Sequence, residues 1–185
     1  ITLRQRRQNE VEGVWFMIGV IDYRSGNAPS VLNALEKIGV PSLLVSSKDE
    51  IDEVHGIILP GVGSALGTME SLEEMGCLDV ISKKVLQDGV PFLGICIGLQ
   101  VLFEHSEEGD TKCLGWIPGV VKKFSQDMVR VPQIGWNEAE FTREHPILSG
   151  LGKREFFYFV NSYYVIPKDE NMVLAKTEYG VEFCS

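Results

Sequence analysis

The sequence predicts an α/β fold, an open parallel sheet with helices on both faces extended by an antiparallel β region. Three observations carry that expectation. From Met17 onward, strand-like and helix-like segments alternate, the pattern of consecutive βαβ units. The apolar runs Met17-Ile18-Gly19-Val20-Ile21 and Val90-Pro91-Phe92-Leu93 read as buried strands. After Gly115-Trp116-Ile117-Pro118-Gly119 the texture changes to short β-rich pieces without intervening helical patterns.

In chain order, strands are expected at 17–22, 42–46, 55–60 and 90–95, and helices at 28–38, 67–75, 77–88 and 97–105. The third helix places Leu78, Ile81 and Val85 at helical spacing. The β-rich region divides into 120–124, 128–131, 138–142, 155–166, 171–176 and 180–184. No internal repeat, low-complexity tract or flexible linker interrupts residues 17–185, so one compact domain is expected there. Residues 1–16, with Arg4, Arg6 and Arg7 but also Glu10 and Glu12, show neither periodicity. They read as a non-native or upstream extension rather than a transit peptide.

Composition narrows the function classes. A chain of 185 residues supports one well-buried α/β domain. Its 17 basic and 26 acidic residues give a net charge of −9, which argues against a nucleic-acid or anionic-membrane surface. The four cysteines, Cys77, Cys96, Cys113 and Cys184, form neither a CxxC pair nor a metal-ligand spacing. They read as reduced thiols of a cytoplasmic protein, with no metal or other cofactor implied. No apolar run approaches the length of a membrane span.

The richest segment is Gly94-Ile95-Cys96-Ile97-Gly98-Leu99-Gln100. It follows an apolar strand and precedes an amphipathic stretch, so Cys96 falls on a tight strand-to-helix turn, the thiol counterpart of a Gly-x-Ser-x-Gly nucleophile elbow. The flanking glycines permit unusual dihedrals and close substrate approach. A helix N-terminus favours the thiolate. The bland alternative is a small buried Cys beside packing glycines. Two more loops are expected at the same edge of the sheet, where open α/β sheets bind ligands. Asp22-Tyr23-Arg24-Ser25-Gly26-Asn27 follows the first strand, and Pro60-Gly61-Val62-Gly63-Ser64 follows the third. The Pro-Gly-x-Gly turn presents backbone N–H groups suited to an oxyanion, although each loop taken alone could be a plain turn.

The elbow and the Pro60–Gly63 turn resemble the nucleophile and oxyanion motifs of class I (triad-type) glutamine amidotransferases. Adding Asp22 to Asn27, Pro132-Gln133-Ile134-Gly135-Trp136-Asn137 and Tyr158-Phe159-Val160-Asn161-Ser162-Tyr163, the set is most similar to glutaminase subunits of imidazole glycerol phosphate synthase. The resemblance implies a flavodoxin-like core and hydrolysis of L-glutamine through a Cys96 thioester. It also implies transfer of ammonia to a (β/α)8-barrel cyclase in a heterodimer. By the same resemblance, Ile97 and either Val62 or Gly63 supply oxyanion N–H groups. Gly61, Gln100, Glu104 and the main chain at Ser162 and Tyr163 help bind glutamine. Asn27, Trp136 and Tyr158 match the cyclase-facing mouth, with aromatic core packing the alternative for the last two.

One element of that family is missing from these residues. A glutaminase needs a general base and a carboxylate to orient it, which the family takes from a late His-Pro-Glu motif. The motif is expected beyond Ser185, in a continuation of the chain. His55, His105 and His145 read as structural or surface residues, His145 only imitating the motif because Ile147 follows Pro146. Gln133 and Asn161 stand where relatives often carry His. Two other readings stay open: an amidotransferase of another biosynthetic pathway, and a catalytically dead docking module.

Overall fold

The computed structural model describes residues 10–11, 14–24 and 27–185. The extension assigned to residues 1–16 therefore falls largely outside the described residues, as do Ser25 and Gly26 of the first loop. Within that extension β1 (Glu10–Val11) and β2 (Val14–Trp15) pair antiparallel. The sequence reading expects one domain; residue contacts divide the chain into two compact units, 1–99 and 100–185, and each is described by itself.

The first unit holds a four-stranded parallel sheet of β3 (Ile18–Ile21), β4 (Ser42–Val45), β5 (Gly56–Leu59) and β6 (Phe92–Gly94). Their spatial order is β4-β3-β5-β6. All four expected strands form, each shorter than expected by one or more residues. Every residue of β5 is buried, as a strand covered on both faces requires. The chain leaves β3 toward β4 and then returns to build β5 and β6 on the other side. That reversal places a topological switch point between the C-terminal ends of β3 and β5. Those ends are Asp22-Tyr23 and Pro60-Gly61.

Helices α1 (Ala28–Lys37), α2 (Lys48–Asp52), α3 (Ala65–Met75) and α4 (Leu78–Leu86) connect the strands. The helix α2 is absent from the sequence expectation although its signal was present. Ser47 and Glu50 form a capping box in which the Glu50 carboxylate accepts from the amides of Ser46 (2.8 Å) and Ser47 (3.0 Å). Chiefly through the Ser46 amide, this holds the Glu50 carboxyl below its ordinary range. Helix α3 starts two residues earlier than expected because the Ser64 hydroxyl accepts from the Gly67 amide (3.2 Å).

The expected helix over 97–105 is corrected to a single turn, α5 (Ile97–Gln100). The reason lies in the segment beyond it. Val101, Leu102 and Phe103 are all buried, so this run has no solvent face. Its carbonyls accept from a distant segment instead of from the next turn: Val101 from Leu114 (2.9 Å), Leu102 from Ile117 (2.9 Å) and Phe103 from Gly115 (2.8 Å). His105 consequently lies in a strand rather than at a helix end.

The second unit is built on an eight-stranded sheet of β7 (His105–Ser106), β8 (Thr111–Lys112), β9 (Gly119–Lys123), β10 (Gln133–Phe141), β11 (Arg154–Asn161), β12 (Tyr163–Pro167), β13 (Ala175–Glu178) and β14 (Glu182–Cys184). The order is β11-β10-β13-β14-β12-β9-β7-β8, antiparallel except for the β7–β9 pair. The expected strand 128–131 does not form: Met128 and Val129 amides donate back to Ser125 in a turn (3.1 Å each). The expected run 155–166 breaks at Ser162 into β11 and β12, and 171–176 into a 3-10 turn (Glu170–Met172) followed by β13.

Phe124 anchors this unit. It is 2% exposed and packs on the rings of Tyr164 (4.7 Å), Phe183 (5.3 Å) and Tyr179 (5.5 Å). Phe124→Ala should lower unfolding stability by about 3–5 kcal/mol, as for other buried aromatics, measured as the midpoint shift in urea. A loss under about 1 kcal/mol would mean that the cluster is not part of the core.

Candidate active site

The elbow is built by backbone proximity. Cys96 adopts φ 57°, the left-handed region a non-glycine residue rarely occupies, on the turn between β6 and α5. Gly94 and Gly98 keep ordinary dihedrals, so the strain falls on the cysteine, contrary to the sequence expectation. The glycines are required by space instead. A Cβ on Gly98 would lie 2.0 Å from the Leu59 carbonyl oxygen, and one on Gly94 would lie 2.4 Å from the Gly98 carbonyl oxygen. Leu59 also accepts from the Ile95 amide (3.0 Å), so the end of β5 grips the elbow on two sides.

The Pro60–Gly63 loop meets the elbow directly. A Cβ on Gly61 would come within 2.0 Å of Ile97 Cγ2 and 2.5 Å of Tyr23 Oη. Gly63, at φ 124°, takes a conformation open to glycine alone, and Val62 is exposed. The structure thus sets Gly61 against Ile97, the residue after Cys96, with Val62 and Gly63 following Gly61 in the loop. Because α5 is a single turn, its dipole is short; the local amides of Ile97 and the loop, rather than a long macrodipole, are the source of positive potential.

The four thiols differ by burial. Cys96 is exposed, while Cys77 and Cys113 are buried and Cys184 is intermediate. Burial pushes the Cys113 thiol up to about 11, with the Glu108 charge adding to it. Cys77 and Cys184 are also raised, in both cases mainly by burial.

The remaining predicted residues of the second unit have well-defined surroundings. Gln100 is buried. Glu104 is not on a helix face two turns from Cys96, since α5 has ended. Its carboxylate accepts from the Gly119 amide (2.9 Å) and pairs with Lys168 Nζ (2.8 Å). The Lys168 hydrogen bond, then the Gly119 amide, hold its carboxyl below the usual range. The carbonyl of Ser162 accepts from the Phe124 amide (3.0 Å), and that of Tyr163 from Asn161 Nδ2 (3.1 Å). Burial raises the Tyr163 phenol, and the charges of Glu108 and Glu107 raise it further. Gln133 and Asn161 face each other across β10 and β11, each with a buried amide oxygen lacking a hydrogen-bond partner.

Trp136 and Tyr158 are also register partners, meeting edge to face at 5.7 Å. They are 71% and 56% exposed, which excludes the core-packing alternative. On the same face of β10 and β11 lie exposed Ile134, Phe156 and Val160, leaving an apolar patch. Asn27 is exposed in the first unit, its side chain accepting from Ser30 Oγ (2.8 Å).

Each histidine has a local partner. His55 Nδ1 accepts from the Met17 amide (3.3 Å), His105 Nε2 bonds Asp110 (2.9 Å), and His145 Nδ1 accepts from the Ile147 amide (3.3 Å). His145 also lines a surface cavity of about 740 Å³ with Arg143, Leu148 and Lys153, which includes none of the predicted site residues. No cluster of three or more His, Cys, Asp or Glu side chains able to hold a metal occurs among the described residues. None of their helices is long and apolar enough to cross a membrane. Tyr23 and Thr68 are neighbours of the elbow and its loop that motif reading passed over. Only Tyr23 carried a signal, its place in the first loop at the switch point.

Iodoacetamide at pH 8 should therefore alkylate Cys96 first, with the other three thiols at least about tenfold slower, as buried and raised thiols react. Peptide mapping by mass spectrometry checks this, and equal early labelling of Cys113 would contradict it.

The family profile described as "Glutamine amidotransferase class-I" matches residues 19–185. A protein of Dehalococcoides mccartyi named "Imidazole glycerol phosphate synthase subunit HisH" is 45% identical over 170 residues, covering 91% of this chain and 82% of that protein. One of the same name from Geobacillus thermodenitrificans is 46% identical over 172 residues, covering 90% and 80%. Among solved structures, "Crystal structure of glutamine amidotransferase" superposes with a TM-score of 0.68 at 21% identity, covering 86% of this chain and 79% of that one, a likeness of fold. With a tight strand-to-helix turn at Cys96 set against a Pro-Gly-x-Gly loop and a family profile matching residues 19–185, this chain belongs to the class-I glutamine amidotransferases.

Proposed function

We propose that this chain is the glutaminase subunit of an imidazole glycerol phosphate synthase, releasing ammonia from L-glutamine for a separate cyclase subunit. The observation that carries the catalytic half is the apposition of the exposed Cys96 elbow and the Pro60–Gly63 loop across Gly61 and Ile97. The pathway is taken from the name that relatives 45–46% identical share. In the cytoplasm, where such biosynthesis runs, the thiols stay reduced.

In this reading the Cys96 thiolate attacks the side-chain amide carbon of glutamine. The Ile97 amide and one from Val62 or Gly63 hold the tetrahedral oxyanion, the type of contact worth about 10²–10³-fold in rate per donor. Collapse expels ammonia, which takes up a proton as it leaves, and gives a γ-glutamyl thioester that water hydrolyses to glutamate. Gly61, Gln100 and the main chain at Ser162 and Tyr163 are proposed glutamine contacts on the family resemblance alone. Glu104 acts at one remove, through Gly119 and Lys168. The proton-transferring base is assigned to none of His55, His105 and His145, each of which is engaged locally.

Ammonia released into water protonates and ceases to be a nucleophile, so the product needs a covered route. The exposed face of Ile134, Trp136, Phe156, Tyr158 and Val160 is suited to a protein partner; Asn27 is proposed as a partner contact on the family resemblance alone. A (β/α)8-barrel cyclase is the proposed occupant. Nucleic acid is a poor fit to a chain of net charge −9.

Two experiments test this. In the full-length protein assembled with the cyclase, Cys96→Ser should abolish glutamine hydrolysis and labelling by an electrophilic glutamine analogue. His55→Asn, His105→Asn and His145→Asn should each retain most turnover. Persistent labelling in Cys96→Ser, or loss in one histidine variant without loss of folding, would overturn the assignment. Trp136→Ala and Tyr158→Ala should each weaken cyclase binding by about 1–4 kcal/mol, the usual range of interface anchors, as read by calorimetry. Unchanged affinity in both would move the interface elsewhere.

A further inference from the structure

Tyr23 sits on the turn after β3 with its backbone fixed on either side. The Asp22 amide donates to the Val45 carbonyl (2.9 Å), and the Arg24 amide donates to the Asp22 carboxylate (3.0 Å). Its side chain is 1% exposed, yet its hydroxyl completes no well-directed hydrogen bond, an uncommon state for a buried phenol; the Thr68 hydroxyl is its polar neighbour. That hydroxyl reaches the place where the oxyanion loop touches the elbow, since a Cβ on Gly61 would meet Tyr23 Oη at 2.5 Å and Ile97 Cγ2 at 2.0 Å.

The far end of the same loop is tied to the same phenol. Ser64 closes the loop and accepts from the Thr68 amide (3.0 Å). Thr68 is 1% exposed, and its hydroxyl also completes no well-directed hydrogen bond. Burial raises the Tyr23 phenol; the Thr68 hydroxyl offsets part of this, and the Cys96 charge adds to it. The phenol thus lies against Gly61 in the loop, with Thr68 of the following helix beside it.

We propose that Tyr23 is a positioning residue for the glutaminase reaction, its buried hydroxyl setting the Pro60–Ser64 loop at its working distance from Cys96 through Gly61 at one end and Thr68 at the other. Its hydroxyl fills the space beside Gly61, with the Thr68 hydroxyl as its other neighbour. The loop amides then stay aimed at the oxyanion instead of relaxing away from it. This inference rests on the reading of Cys96 as the nucleophile and the loop as the oxyanion site, but not on the identity of the cyclase.

The test uses the full-length protein in complex with its cyclase partner. Tyr23→Phe keeps the ring and removes only the hydroxyl. Its glutaminase kcat should fall roughly tenfold while KM for glutamine stays within about twofold, less than the loss of a direct oxyanion donor. Alkylation of Cys96 by iodoacetamide, which passes through no oxyanion, should keep its wild-type rate and pH profile. Thr68→Val should show the same split, and Thr68→Ser should restore most of kcat. An unchanged kcat in Tyr23→Phe overturns the proposal. So does a parallel fall of kcat and alkylation rate, which would mark general disturbance of the elbow. A wild-type complex with no glutamine turnover would strike the glutaminase reading itself, and this inference with it.

Discussion

The site in the first unit depends on one constraint, the approach of the elbow backbone to the end of β5. The Leu59 carbonyl lies where a side chain on Gly98 would be, and it accepts from Ile95 at the same time. Because two main chains meet without side chains between them, the turn has no room to relax. The cost of the left-handed conformation at Cys96 is then borne by the surrounding packing. The loop that continues from Leu59 inherits this geometry, since it cannot move relative to the elbow without breaking the contact of Gly61 with Ile97. The proposed nucleophile and its proposed oxyanion donors are thus held in one rigid assembly, the preorganisation that acyl-transfer chemistry requires.

The thiols show how environment, rather than residue type, selects a nucleophile. Cys113 has the same side chain as Cys96, but burial holds its proton far above neutral pH. A buried thiol packs like a small hydrophobe, while an exposed one beside backbone amides can ionise and react. The same contrast separates the carboxylates and histidines. Glu104 is bound to Lys168 and Gly119, and each histidine is engaged by a local partner.

The second unit uses strand alternation for another purpose. With β10 and β11 in register, Ile134, Trp136, Phe156, Tyr158 and Val160 fall on one face. That much exposed apolar and aromatic surface is uncommon on an isolated protein and is suited to a partner that excludes water. On the core side, Phe124 and Phe183 bind the strands through aromatic contacts. One sheet thereby carries a folding core and a candidate docking surface without compromise between them.

Much of this was legible in the sequence because its causes are local. Buried parallel strands write themselves as apolar runs, the turns between β and α segments carry their glycines and caps, and the Cys96 heptapeptide fixes an elbow by spacing alone. The capping box of Ser47 and Glu50 was equally local and was passed over. What only the tertiary structure decided depends on residues far apart in the chain. The elbow helix ends at Gln100 because the carbonyls of residues 101–103 are claimed by the segment 114–117, and Glu104 is redirected to Gly119 and Lys168. The left-handed backbone falls on Cys96, while Gly98 is required because β5 occupies its side-chain space and Gly94 because the Gly98–Leu99 backbone occupies its own. Periodicity records which face of an element is apolar, but not which distant carbonyl or amide will complete its hydrogen bonds.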